Sequence, residues 1–146
     1  MSSEDFKIWW KKLGCSSLFF DGASKGNLGM AGAEGGVFFE SKGNKLKEYA
    51  WGIGRKTNNG AEWLALIKGM ELARNVNIEE LVVFGDSIMV VREARNLAKK
   101  HKNPTTKIHH LLKCIVNEYN AINFLHVPRL VGYFLRILIL YESIEF

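Results

Sequence analysis

The sequence predicts a mixed α/β layer fold, and three observations carry that expectation. The chain opens with short apolar segments separated by turn residues, the pattern of an antiparallel meander. The hydrophobic pattern then changes to a helical one over residues 57–75. Residues 81–84 form an unbroken apolar run, as a central strand covered on both faces requires. At 146 residues the chain is long enough to bury a core within one domain. Its 47% hydrophobic and 24% charged content is globular in character and excludes a disordered chain.

Each element has its own warrant. "SSLFFD" is a first strand that stops at Asp21, and a glycine-rich segment follows it. "GGVFFE" at 35–40 is a second strand and "KLKEYAWGIG" at 45–54 a third, with the glycines before them forming the first hairpin. In "TNNGAEWLALIKGMELARN" the asparagines suit an N-cap, and Glu62 stands in the first turn. Ala61, Ala65, Gly69, Leu72 and Ala73 share one face of this helix, a small-residue stripe that allows close approach to a sheet. "ELVVFGD" is the fourth strand and stops at Asp86. Residues 87–100 and 106–120 read as helices around a loop holding Asn103 and Pro104, and "AINFLHVPR" as a fifth strand. Helical crossovers between strands of one sheet are right-handed. Residues 1–16 read as an extension or linker and 17–146 as the domain, with 130–146 an apolar tail of thin polar face.

The net charge of +5 favours a polyanionic partner. Cys15 and Cys114 are too few for a disulfide framework and have no metal-ligand spacing, so a reducing, intracellular setting is expected. The first fourteen residues resemble neither a secretory signal nor a transit peptide. The apolar run 130–141 is interrupted by Arg136 and too short for a bilayer, so no membrane partner is expected. A soluble monomer is the expectation. The glycine segment lacks both GxGxxG and the Walker spacing, so no nucleotide cofactor is expected either.

Two strands end in aspartate, and the helix between them begins near a glutamate. If the strands of Asp21 and Asp86 are adjacent and parallel, both carboxylates lie at one sheet edge. Glu62 shares a helix face with Ala65, Leu66 and Gly69 and so points toward the sheet. Three such carboxylates repel one another, and their cluster needs a cation. Hard oxygen ligands favour Mg²⁺, with substrate phosphate completing the shell. The plainer reading makes Glu62 a helix-terminal charge and the two aspartates turn residues.

In this order, "DGASKGNLGMAGAEGG", "TNNGAEWLAL" and "FGDS" resemble the ribonuclease H family, in its plant retroelement-like class, over residues 18–129. The resemblance implies a five-stranded mixed sheet, its first three strands antiparallel, flanked by helices. It implies endonucleolytic cleavage of the RNA strand of RNA–DNA hybrids with two Mg²⁺ or Mn²⁺ ions held by four acidic residues. Asp21, Glu62 and Asp86 match three of the four. By analogy Asp21 bridges both ions, Glu62 serves the one nearer the leaving group, and Asp86 the one that activates water. Two metals about 3.5–4 Å apart support an in-line displacement of this kind. The resemblance also makes Gly22, Ser24, Asn27, Asn58, Asn59 and Ser87 candidates for contacting the nucleic acid, with turn and cap chemistry the alternative for Asn58 and Asn59. Contacts to the 2′-hydroxyl separate RNA from DNA.

The chain departs from the family pattern in places. Leu28 stands where the family's "GNPG" turn has proline, and Glu34 is an extra residue in the glycine segment. After "HVPR", Arg136 occupies the place of the fourth acid, a change of two charge units that opposes a second ion. His126 matches a strand position and reads as structural. The departures suggest a retroelement-derived chain under relaxed constraint. Two readings therefore stand open: a metal-dependent ribonuclease weakened at its fourth ligand, or a hybrid- or RNA-binding module that has lost cleavage.

Overall fold

The computed structural model describes residues 16–24, 30–39, 45–55, 57–99 and 103–127. The N-terminal extension, Asn27 and Leu28 of the first turn, and the tail with Arg136 lie outside these residues. In chain order the elements are β1 (Ser16–Phe20), β2 (Ala23–Ser24), β3 (Met30–Phe39), β4 (Lys45–Arg55), α1 (Asn58–Asn75), β5 (Glu80–Gly85), α2 (Ile88–Ala98), α3 (Lys107–Val116) and β6 (Ala121–His126).

The sheet runs β2-β3-β1-β5-β6, with β4 on β3. Strands β1, β5 and β6 are parallel, whereas β3 pairs antiparallel with β1, β2 and β4. This is one segment more than the five strands expected. The extra segment arises because β1 and β2 lie along the same strand, β3, and are interrupted only at Asp21 and Gly22. The register explains the break. Between the pairs Phe19↔Val37 and Ala23↔Gly32, β3 advances one residue more than the chain opposite it. On its other side Glu34↔Ala50 is followed by Gly36↔Tyr49, two residues against one. β3 thus carries a β-bulge between Glu34 and Gly36, which bends the strand and breaks the ladder locally.

The glycine segment also corrects a second expectation. β3 starts at Met30, ahead of the strand expected at 35–40, so Gly32 joins Gly35 and Gly36 inside a strand. Pairing along most of an eleven-residue β4 overrides the poor strand preference of glycine.

Helix α1 starts one residue earlier than a cap at Asn58 would place it. Its N-cap is Thr57, whose Oγ1 accepts the Gly60 N–H at 3.0 Å. Asn58 and Asn59 are the first helical residues, and Glu62 is the fifth, so it lies in the second turn, not the first. The expected small-residue stripe is buried at Ala61, Ala65, Gly69 and Ala73. Leu66 and Met70 of α1 join Leu18, Phe20, Leu81, Val83 and Phe124 of the sheet, and Val91, Leu97, Leu112 and Ile115 of α2 and α3, in one core. Two ties close it. The Tyr119 hydroxyl donates to the Met70 carbonyl at 2.6 Å, joining the end of α3 to the middle of α1. The Arg95 guanidinium donates twice to the Phe124 carbonyl, at 2.6 and 3.1 Å, fastening α2 to β6. Among the described residues no helix is long and apolar enough to cross a membrane.

Candidate metal centre

The parallel register decides where the aspartates go. Phe20 pairs with Gly85, and Gly85 with His126, so three strands end level with one another. Asp21 and Asp86 are the next residues of adjacent strands and leave the sheet at the same edge. The end of β6 is fastened there too: the Val127 N–H donates to the Gly85 carbonyl at 2.9 Å, and His126 Nε2 lies 3.2 Å from the Asp86 carbonyl. His126 Nε2 thus lies against the backbone that carries Asp86.

Glu62 reaches this edge from α1 because Gly22 lets the helix in. A Cβ on Gly22 would fall on the carbonyl group of Ala61 and the amide of Glu62, well inside contact distance. The end of β1 thus runs directly against the backbone of α1, an approach only glycine permits. Gly22, a candidate for touching nucleic acid, is buried against the helix instead. As a result, one carboxylate oxygen from each of Asp21, Glu62 and Asp86 lies within 4.8 Å of the others.

The electrostatics of this trio are lopsided. Glu62 is only 9% exposed, and its pKa is pushed up to about 9. Burial is the largest cause, followed by the charges of Asp21 and Asp86 and a hydrogen bond with the Asp21 carboxyl; the Gly22 N–H pulls the other way. At neutral pH, with no cation present, Glu62 is therefore protonated. Its Oε2 is buried with no hydrogen-bond partner. A buried orphaned oxygen between two further carboxylates matches the oxygen donor set of a hard divalent cation, so the residues fit Mg²⁺ or Mn²⁺.

The other expected site residues fall as follows. Asn58 and Asn59 are exposed on the first turn of α1, one turn before Glu62. Ser24 lies in β2 beside Ala31 of β3. Ser87 is the N-cap of α2, its Oγ accepting from the Val90 N–H at 3.5 Å. That cap fixes the helix start immediately after Asp86. Thr57, which sets the start of α1 and hence the height of Glu62, was masked in the sequence by the stronger turn signal of Asn58, Asn59 and Gly60.

Comparison with known proteins agrees with this geometry. The family model described as reverse transcriptase-like matches residues 19–131. The chain is similar to the solved RNase H1 of the halophilic archaeon Halobacterium salinarum, with a TM-score of 0.70, 27% identity, and coverage of 82% of this chain and 90% of that one. It is similar to the N-terminal RNase H domain of rv2228c from Mycobacterium tuberculosis, with a TM-score of 0.68, 30% identity, and coverage of 78% and 82%. It is also similar to LC11-RNase H1 in complex with RNA/DNA hybrid, with a TM-score of 0.63, 30% identity, and coverage of 78% and 86%. The chain spans 30% of the length of the curated mycobacterial relatives it matches, at 33% identity over 109 residues. A family match across most of the chain, joined to solved ribonuclease H relatives of similar fold, leaves one assignment: the chain belongs to the ribonuclease H family.

Proposed function

We propose that the protein is a metal-dependent endonuclease that cleaves the RNA strand of RNA–DNA hybrids. The carrying observation is the trio Asp21, Glu62 and Asp86, with oxygens within 4.8 Å and the Glu62 Oε2 buried without a partner. Ribonuclease H relatives in the solved structures, one of them in complex with RNA/DNA hybrid, support the substrate class. Asp21, Glu62 and Asp86 would hold Mg²⁺ or Mn²⁺. Divalent cations in such sites supply activation of water and charge stabilisation of the leaving oxygen.

The chain's own residues do the rest. The sheet edge presents Asp21 and Asp86 toward solvent, where a phosphodiester can approach, and α1 presents Glu62 from behind. The Ser87 cap holds Asp86 at the start of α2. Exposed Asn58 and Asn59, one turn before Glu62, stand where they can donate to the sugar or phosphate of a bound strand, and Asn27 and Ser24 follow on the same reading. Selection of RNA rests on 2′-hydroxyl contacts. The protein works as a monomer, inside the cell, and derives from a retroelement.

One observation favours a second reading. Arg136 stands where the resemblance places a fourth acid. With that ligand gone, the chain would bind hybrid without cutting it. The deciding experiment follows a labelled RNA–DNA hybrid in Mg²⁺, comparing the protein with Asp86→Asn. Loss of cleavage by roughly a hundredfold or more, beyond what removing a ligand's outer partner costs, supports the proposal. Cleavage that persists in the variant defeats the role of Asp86. Hybrid binding with no cleavage by the unmodified protein selects the second reading.

A further inference from the structure

Phe20 and Gly85 carry no chemistry, yet each immediately precedes a carboxylate of the trio. They are register partners across β1 and β5. A Cβ on Gly85 would collide with Cε1 and Cζ of the Phe20 ring, while Cδ1 would lie 3.3 Å away. Phe20 is fully buried in the core and has no room to swing aside. Gly85 does not occupy the left-handed region, so space and not backbone conformation demands glycine here. Its other side is held as well, because its carbonyl accepts the Val127 N–H of the chain leaving β6.

Gly85 is thus clamped between a phenylalanine ring and a third strand, one residue before Asp86. Any atom added there moves the end of β5 or the end of β1, and with it the spacing of Asp21 and Asp86. Metal ligation tolerates only about 0.2 Å of error in ligand distance. We propose that Phe20 and Gly85 are a size-matched pair of positioning residues, the large ring filling the space of the missing side chain, that sets the separation of Asp21 and Asp86 for metal binding. The inference rests on the reading of the trio as a metal centre.

A rescue experiment tests it. Mn²⁺ is titrated by calorimetry into the full chain and into Gly85→Ala, Phe20→Leu/Gly85→Ala and Glu62→Gln, with circular dichroism confirming the fold of each. Leucine lacks the Cε1 and Cζ atoms that collide and ends near the level of Cδ1. Gly85→Ala is expected to weaken Mn²⁺ binding by roughly tenfold or more, as loss of a supporting residue does. The double variant is expected to recover most of the affinity. If the unmodified protein takes up no Mn²⁺, or takes up as much as Glu62→Gln, the metal-centre reading itself falls. If it binds but Gly85→Ala binds equally well, only the pairing is refuted. Failure of a folded double variant to recover also refutes it, since the loss then has another cause. Should Gly85→Ala not fold, the double variant must both fold and bind, and its failure to do so overturns the inference.

Discussion

Replacing Glu62 by glutamine should make the metal-free protein less sensitive to alkali while destroying its affinity for divalent cations. The folded state raises the Glu62 pKa from 4.5 to about 9, so between those values the folded chain holds a proton that the unfolded chain releases. Stability from this group is complete below pH 4.5 and is lost as pH rises toward 9. One pH unit inside that window corresponds to about 1.4 kcal/mol at most. Coupling to Asp21 and Asp86 and water entry reduce it, so the loss between about pH 6 and about pH 8 should be on the order of 1–3 kcal/mol. Glutamine keeps the shape and neither gains nor loses a proton. Urea unfolding in EDTA at the two pH values measures the effect: the parent should lose midpoint and the variant should keep most of its own. Added Mg²⁺ should restabilise the parent, by about 2.7 kcal/mol at a hundred times its dissociation constant, and leave the variant unmoved. Equal pH dependence in the two proteins would refute the raised pKa of Glu62. Equal stabilisation by Mg²⁺ would refute its place among the ligands.

Two further substitutions probe the supports and the departure from the family. Tyr119→Phe removes the 2.6 Å hydrogen bond to the Met70 carbonyl and should lower stability by about 1 kcal/mol in urea unfolding, with metal affinity unchanged. Arg136→Asp should raise the rate of hybrid cleavage in Mg²⁺, and an unchanged rate in a folded variant would mean that position 136 is not a ligand position.

The trio was legible in the sequence because its three parts have separate local signatures. Asp21 and Asp86 each end an apolar run, and Glu62 lies on the face of α1 that carries the small-residue stripe. The parallel pairing of β1 with β5, on which the reading depended, follows from the sheet order: β3 reverses the chain after β1, β4 reverses it again, and α1 carries it across to β5 in the direction of β1. What could not be read is whatever depends on register. Residues 30–34, with Gly32 among them, give no alternating apolar pattern, so nothing local tells a paired strand from a loop. The Thr57 cap lost to the asparagines because all three positions offer an oxygen of suitable type. Phe20 and Gly85 are sixty-five residues apart, and their complementarity exists only once Phe20 is known to sit opposite Gly85.

On the reading of the trio as a metal centre, stability and ligation oppose each other in this site. Without a cation, burial and two neighbouring charges keep Glu62 protonated, and the protonated form is the one the fold prefers. A cation can bind only by displacing that proton, after which three carboxylates share a space less than 5 Å across, attracted to the cation and repelled by one another. Were the side chains mounted on yielding loops, that repulsion would separate them as the proton leaves and before the cation is seated. Here it cannot. Asp21 is fixed by the contact of Gly22 with α1, Glu62 by a helix capped at Thr57, and Asp86 by the Phe20–Gly85 fit, the Ser87 cap and the end of β6. The constraints come from five different elements and meet on three carboxyl groups, so the core opposes their separation once the proton is displaced. A substitution that relaxes one of them without unfolding the chain should flatten the loss of stability with rising pH in the metal-free protein and weaken cation binding, the combination that distinguishes loss of positioning from loss of fold.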